Sequence, residues 1–305
     1  MAPRLSVIIP TRDRAGRLRT ALTSVAAQGR ADVEVVVVND GGAPVEPVVA
    51  EFRHRLDVRP LTLSAEAGPS AARNHGIEAA EGEFLSFLDD DDVYLPGHLD
   101  SALAALDEGD VDVVYATAGV SDTWVDPLAA DPPDLVESFD FAWHDGFLSV
   151  LCYIPPTGVV LRNSAQARFD TGVRIAEDWD LWLRLARRQG YRFRHLDRVG
   201  VVYHRIPAHS VSDDPVGNGR RALGMFHAGY QRMCARWAVP LDSPEAAYRD
   251  LVLQVYQHAF ARYDRGRTLG SFWYERMVRT LHTGFLAGTP AAELAPGLAA
   301  LLEHR

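Results

Sequence analysis

The sequence predicts an α/β protein: a mainly parallel sheet with helices on both faces, followed by a helical C-terminal region. Three observations carry this. Between residues 5 and 116, short β-branched runs alternate with segments of helical apolar spacing, the pattern produced by parallel βαβ units. The second run, VEVVVVND at 33–40, is almost uninterrupted in its apolar character, as expected of a strand buried on both faces. From about residue 216 onward, every periodic segment reads as helix.

Taken in order, LSVIIP (5–10) is a strand, and GRLRTALTSVAAQ (16–28) a helix with Leu18, Leu22 and Val25 on one face. Residues 45–55 read as helix and VRPLTL (58–63) as strand. PSAARNHGIEAAEG (69–82) is a helix with Pro69 near its start and Gly82 past its end. FLSFL (84–88) is a strand, PGHLDSALAALDEG (96–109) a helix and VDVVYA (111–116) a strand. SDTWVDPLAADPPD (121–134) is an irregular excursion, and TGVVLR (157–162) a strand. EDWDLWLRLARRQG (177–190) is an amphipathic helix stopped by Gly190. YRFRHL and VGVVYHR are expected to form a strand pair, and segments near 219–237, 244–263, 270–286 and 290–303 are expected to be helices.

Composition narrows the function classes. A chain of 305 residues with 47% apolar content builds a core without disulfide or metal staples. The net charge of −10 argues against binding nucleic acid by phosphate neutralisation. All 31 cationic side chains are Arg, so Schiff-base and P-loop lysine chemistry are excluded. Cys152 and Cys234 have no metal or redox spacing, and a reduced cytoplasmic setting is expected. Neither a signal peptide nor a transmembrane segment is expected.

In open parallel sheets, ligands bind beyond the carboxyl ends of the strands. Three polar clusters fall there: PTRDR after the first strand, NDGG after the second and DDDD after FLSFL. The tetrad Asp89–Asp90–Asp91–Asp92 is electrostatically costly, because like charges roughly 5 Å apart at an effective dielectric near 20 repel by about 3 kcal/mol per pair. A solvated loop capping the next helix needs one or two carboxylates. A calcium EF-hand fails, because the sixth position from Asp89 is Tyr94 and the twelfth Asp100. A divalent cation completed by a nucleotide diphosphate suits an oxygen-rich, partly open site and offsets the charge.

SVIIPTRDR, EVVVVNDGG, GPSAARNHGIEAAEGEFLSFLDDDDVYLPGHL and EDWDLWLRL, in this order and spacing, resemble the family 2 glycosyltransferases of GT-A (Rossmann-like) fold over roughly residues 4–212. The resemblance implies a GT-A glycosyltransferase domain over 1–212, with a nucleotide-binding half at about 1–116 and an acceptor-side half at about 117–212, before the helical region 213–305. It places Pro10, Thr11 and Arg12 at the turn that cradles nucleobase and ribose. Asp40 matches the carboxylate that accepts from a uracil or thymine imide N–H. Asn39 and Gly42 depart from the usual DDGS. Arg73 matches an arginine near the diphosphate, and a guanidinium suits that group by charge and fork geometry.

Within the tetrad the resemblance sets the DxD at Asp89 and Asp91. Asp89 would bond ribose or a cation-bound water, with Asp90 beside it at the nucleotide, and Asp91 would ligate Mn²⁺ or Mg²⁺. Asp178, with Glu177 beside it, matches the general base, which takes the acceptor hydroxyl's proton as the new glycosidic bond forms. Asp180 is a competing carboxylate two residues on. Trp179 and Trp182 are read as core in preference to a sugar platform. VYHRIPAHSVS (202–212) fits the family's diphosphate-lining segment imperfectly, with His204, Arg205, His209 and Ser212 as candidate phosphate or metal contacts.

These readings give an inverting, metal-dependent transferase. It would take a nucleoside-diphosphate sugar, UDP- or dTDP-linked, and a hydroxyl acceptor that is a glycan, lipid-linked or a small molecule. Two other classes fit the sequence less well. A GT-A-like sugar nucleotidyltransferase would carry a Gly-rich loop with Arg and Lys after the first strand, and PTRDRAGR has one Gly and no Lys. A non-catalytic nucleotide-sugar or glycan-binding module conflicts with the intact Asp40, DxD and Glu-Asp set. The C-terminal helices could shape the acceptor side or make a homodimer.

Overall fold

The computed structural model describes residues 2–206 and 218–303. It resolves into two compact units, Met1–Trp143 with Ile154–His204, and His144–Tyr153 with Arg205–Arg305. The first unit begins β1 (Leu5–Thr11), α1 (Ala15–Ala26), β2 (Val33–Asn39), α2 (Glu46–Phe52), β3 (Asp57–Thr62), α3 (Pro69–Ala79) and β4 (Phe84–Phe87). It continues with β5 (Val93–Tyr94), α4 (His98–Asp107), β6 (Val113–Ser121), β7 (Glu137–Phe139), β8 (Val159–Arg162), α6 (Glu177–Leu183) and β9 (Phe193–His204). The short α5 (Asp145–Val150) belongs to the second unit.

The strands form one sheet in the order β3-β2-β1-β4-β8-β6-β9-β5, with β7 on β6. The first four are all parallel. Beyond them the sheet is mixed: β8 runs antiparallel to both β4 and β6, while β9 is parallel to β6. Right-handed crossovers put α1 and α2 on one face and α3 on the other. All seven residues of β2 are accordingly buried.

The chain steps outward from β1 to β2 and β3, then returns to β4 on the other side of β1. The switch point therefore lies between β1 and β4, and its crevice opens at Thr11 and at the residues after Phe87. Beneath it Val7, Ile8, Ile9, Val36 and Val37 are fully buried. The absence of a side chain at Gly76 sets how closely α3 lies on β1, because a Cβ there would stand 2.6 Å from Ile8 Cγ2.

Local structure departs from the sequence reading at several points. YRFRHL and VGVVYHR do not pair as two strands; they form the single twelve-residue β9. It runs beside β6 with register shifts around Thr117. Gly200, which resembles turn punctuation, instead permits close packing: a Cβ there would stand 2.5 Å from His98 Nδ1 and 2.6 Å from Ala116 Cβ. Strand β6 runs on to Ser121, and the helix from Glu177 passes into a π-helical turn at Arg184–Arg188.

In the second unit, α5 is joined by α7 (Asn218–Arg236), α8 (Pro244–Asp264), α9 (Trp273–Leu286) and α10 (Ala291–Leu301). Its core holds Tyr230, Met233, Tyr248, Val252, Tyr256, Val278 and Leu281. Helix α8 starts on a Ser243 cap that accepts from Ala246 N–H at 3.2 Å, with Pro244 at the first helical position. Among the described residues, no helix is long and apolar enough to cross a membrane.

Candidate active site

The four carboxylates after β4 are not equivalent. Asp89 and Asp91 keep 27% and 29% of their side-chain surface exposed, while Asp90 and Asp92 keep 5% and 1%. The buried pair is held by the scaffold. Thr11 Oγ1, at the end of β1, donates to Asp90 Oδ2 at 2.6 Å, closing the switch point across the two strand ends. Arg14 Nη1 donates to Asp90 Oδ1 and Asp91 Oδ2, each at 3.0 Å, and Arg17 reaches Asp91 Oδ2 at 3.4 Å. Asp92 Oδ1 accepts from the His204 backbone N–H at 2.9 Å. None of the four caps α4. Strand β5 intervenes, and that helix starts on the left-handed Gly97 without a side-chain cap.

Crowding and burial act together on this cluster. Desolvation pushes the Asp90 carboxyl up to about 6 against the bonds from Thr11 and Arg14. Desolvation, and then the charge of Asp89, raises Asp91. Desolvation and the charge of Asp91 raise Asp92 well above the carboxylate range. Arg14 loses solvation on burial, but Asp90 and Asp91 outweigh that and hold it charged, with its pKa raised.

The loops after β1 and β2 are laced together beside the tetrad. Asp40 N–H donates to Thr11 O at 2.9 Å, and Ala43 N–H to Asp13 Oδ1 at 2.7 Å. Asp13 adopts φ 56°, a left-handed conformation that a carboxylate residue tolerates at local cost. Asn39 closes the second loop, donating to Gly42 O at 3.1 Å and Ala43 O at 2.9 Å while accepting from Gly42 N–H at 2.9 Å. A carboxylate could not make those two donations, which accounts for Asn at a position where the family usually has Asp. A Cβ at Gly42 would meet Asp13 Oδ1 at 2.8 Å, so the usual Ser does not fit. Asp40 accepts from Ala67 and Gly68 N–H at 2.7 and 2.9 Å, fixing the entry to α3. Pro10 pairs with Val38 in the sheet, and Arg12 forms a surface ion pair with Glu66.

Arg73 joins the tetrad to the start of α6. It is 3% exposed, donates through Nη2 to Asp89 at 2.6 Å and through Nη1 to Glu177 at 3.1 Å, and lies 5.2 Å from the Phe169 ring centroid. Burial opposes its charge, but Asp89, Glu177 and then Asp178 outweigh that and raise its pKa. Asn74 pairs reciprocally with the backbone of Phe169, both bonds at 2.8 Å. Asp178 is half-buried, with Oδ1 accepting from Trp179 N–H at 2.7 Å. The residue before the Glu177–Asp178 pair, Ala176, takes φ 66°, a strained conformation for a residue with a Cβ. Asp180 is fully buried against Arg184 at 2.8 Å, and Trp179 and Trp182 are core, as expected.

His204 reaches the tetrad with its backbone and its ring. Its Nδ1 lies 2.6 Å from the Asp91 carbonyl, which can only accept, so the ring proton sits there. Nε2 accepts from Val125 N–H at 3.1 Å. Desolvation lowers its pKa, and Arg17 adds to that. Both nitrogens are therefore engaged, which leaves the ring no lone pair for a cation. Arg205 falls in the second unit and pairs with Glu275. His209 and Ser212 lie outside the described residues.

Three residues at this site were not singled out by sequence: Arg14, Arg17 and Trp124. Arg14 immediately precedes α1 and Arg17 lies three residues on, in its first turn, a spacing that would have suggested a shared side facing the acidic run. Trp124, in the excursion after β6, is 48% exposed, with Arg17 Cζ 4.6 Å from its ring centroid and the His204 ring 5.0 Å away. Only the fold brings it there.

The architecture, an open sheet whose switch-point crevice holds four consecutive carboxylates with Arg73 joining Asp89 to Glu177, is a GT-A-like α/β fold. Residues 6–129 match the Glycosyl transferase family 2 profile. The chain is 26% identical to the uncharacterised glycosyltransferase YwdF of Bacillus subtilis, over 81% of this chain and 92% of that one. It is 36% identical to a Campylobacter jejuni GalNAc(5)-diNAcBac-PP-undecaprenol beta-1,3-glucosyltransferase over 35% of this chain, spanning only 36% of that relative. In fold it is similar to Staphylococcus aureus TarS 1-349 in complex with UDP-GlcNAc (TM-score 0.56, 18% identity, 94% of this chain and 92% of that one). It is likewise similar to the mannosyltransferase PcManGT of Pyrobaculum calidifontis in complex with GDP-Man and Mn²⁺ (TM-score 0.57, 19% identity, 100% and 82%). It is residues 6–129, the segment holding β1 to β6 and the acidic tetrad, that carry the family 2 glycosyltransferase profile.

Proposed function

We propose that the chain transfers a sugar, with inversion, from a nucleoside-diphosphate donor to an acceptor hydroxyl, using a divalent cation and Asp178 as general base. The observation that carries this reading is the ionic chain Asp89–Arg73–Glu177, which ties the DxD strand end to the start of α6 within one crevice. The complexes of TarS with UDP-GlcNAc and of PcManGT with GDP-Man and Mn²⁺ support a nucleotide-sugar donor and a cation.

The donor set suits Mn²⁺ or Mg²⁺. Hard carboxylate oxygens are present, and among the described residues no preformed group of three or more His, Cys, Asp or Glu would cage an ion by itself. That matches cations held by one or two carboxylates plus substrate phosphates. Asp91, half-open, is the proposed ligand, and Asp89 would bond ribose or a bound water. When bound, the cation supplies positive charge to the departing diphosphate.

The chain's own groups do the rest. Asp40 keeps acceptor capacity beyond its two backbone bonds, and an imide N–H of uracil or thymine suits it. Thr11 and Arg14 hold Asp90 inward, so Asp90 shapes the nucleotide floor. Arg73 lays fixed positive charge where the leaving group becomes negative, with no reorganisation at the moment of transfer. Glu177, engaged by Arg73, positions that guanidinium and leaves Asp178 to take the acceptor's proton. The acceptor is a hydroxyl-bearing glycan, lipid-linked sugar or small molecule. Calorimetry with UDP and Mn²⁺, followed by a panel of nucleotide sugars scored for hydrolysis, tests the reading. Binding without turnover of any donor would leave only a nucleotide-binding module.

A further inference from the structure

We infer that the outer face of α7 docks this enzyme onto an anionic lipid bilayer. The inference goes beyond the transfer reaction and does not depend on it. The charge of the chain is unevenly divided. The whole chain carries 41 Asp and Glu against 31 Arg, whereas the second unit carries 10 acids against 12 Arg. Within that unit α5, α8, α9 and α10 each carry an acid, and α7 alone among the described helices is purely basic. Its 19 residues include Arg220, Arg221, Arg232 and Arg236 and no acid.

Helix geometry sorts these residues into two sides. At about 100° per residue, Arg221, Met225, Arg232 and Arg236 fall within an arc of roughly 60°. The opposite side presents Ala222, Leu223, Tyr230 and Met233, all buried in the core of the unit. The arginine stripe therefore faces away from that core. Arg220, off the stripe, pairs with Asp264 at 2.8 Å. Arg221 and Arg232 have no carboxylate partner among the described residues.

The apolar groups decide which anionic surface fits. Met225 on the stripe is 43% exposed, and Leu241, in the turn between α7 and α8, is 97% exposed. Nucleic acid would use the cations and leave these side chains in water. A bilayer rewards both features: lipid phosphates attract the guanidinium groups, and the headgroup boundary takes up the exposed Met and Leu.

Co-sedimentation of the full chain with phosphatidylcholine vesicles containing roughly one-third phosphatidylglycerol tests this. Binding is expected there and not on pure phosphatidylcholine, and added salt should weaken it. Each arginine removed should cost about fivefold in partitioning, so Arg221→Gln with Arg232→Gln together should cost about 25-fold. Leu241→Ser should weaken binding by a smaller factor. Undiminished binding of the double variant, equal binding to neutral vesicles, or no binding of the unmodified chain would overturn the proposal. Stronger retention on polyuridylate than on anionic vesicles at the same salt would reassign the face to nucleic acid. Unchanged thermal melting and donor hydrolysis in the variants would show them folded. Loss of the transfer reading would appear separately, as an unmodified chain that hydrolyses no donor.

Discussion

The two ends of the same parallel sheet carry buried carboxylates that are treated in opposite ways. At the amino end, Glu34 is 5% exposed and fully provided for. It accepts from Ser6 Oγ at 2.5 Å, from Glu81 N–H at 2.6 Å and from Arg59 Nη2 at 3.1 Å, while Ser6 Oγ itself accepts from Gly82 N–H at 2.9 Å. One charge meets one guanidinium and two neutral donors, so the network is complete and joins β1, β2, β3 and the entry to β4. At the carboxyl end, four consecutive carboxylates share Arg14, Arg17 and Arg73 and the few neutral donors around them. Three of the four are pushed upward in pKa. The amino end is solved by the chain alone, whereas the carboxyl end holds negative charge that a cation and a diphosphate would relieve. The difference teaches where stability and function are separated in this fold.

The largest expected effect lies at the carboxyl end. Asp178→Asn should lower transfer by about 10²–10⁴-fold while leaving UDP affinity unchanged; wild-type turnover in this variant would refute the base assignment. The matching change at the other end, Glu34→Ala, should cost about 2–4 kcal/mol of stability because it orphans Ser6, the Glu81 amide and Arg59. Urea denaturation and steady-state kinetics together read this contrast. If Glu34→Ala lowers kcat at temperatures where the variant remains folded, the separation of the two ends is wrong.

The amino end and its half of the sheet were largely legible in the sequence, because β1 to β4 and α1 to α3 follow local periodicity and the right-handed crossover rule. The polar clusters at the strand ends were legible for the same reason. Features that depend on distant packing were not. Strand β9 runs through Asp197, Arg198 and Gly200, a stretch with the composition of a turn, because pairing along β6 outweighs local preference. The alternation within the tetrad, open at Asp89 and Asp91 and buried at Asp90 and Asp92, needs Thr11, Arg14 and His204 brought in from elsewhere in the chain. His204 looked like a phosphate or metal contact as part of a His-Arg-Ser segment. In the fold its ring is consumed in tying the excursion at Val125 to the Asp91 carbonyl.

The charge imbalance at the carboxyl end should also appear as a pH dependence. The folded pKa of Asp90, about 6, lies above the ordinary 3.8, so between these values the folded state binds more protons than the unfolded state. Stability then falls as pH rises from about 4 to about 6. In metal-free protein, the advantage of the unmodified chain over Asp90→Asn should shrink by about 2–3 kcal/mol across that window. A constant difference at all pH values would remove the claim that the tetrad is held at a cost.

The smallest effect sharpens the contrast within the tetrad itself. Asp91 is the half-open carboxylate shared by Arg14 and Arg17, so Asp91→Ala removes a proposed cation ligand and little of the packing. UDP affinity measured with Mn²⁺ should drop by about tenfold, a loss of roughly 1.4 kcal/mol. Affinity measured in the presence of a chelator should stay within about twofold, because Arg14 and Arg17, released from Asp91, still offer positive charge to the diphosphate. Asp92→Asn should leave both values alike and act on folding, since Asp92 faces the His204 amide. If Asp91→Ala weakened UDP binding equally with and without the ion, Asp91 would belong to the scaffold together with Asp90 and Asp92. The open-and-buried alternation of the tetrad would then carry no functional meaning.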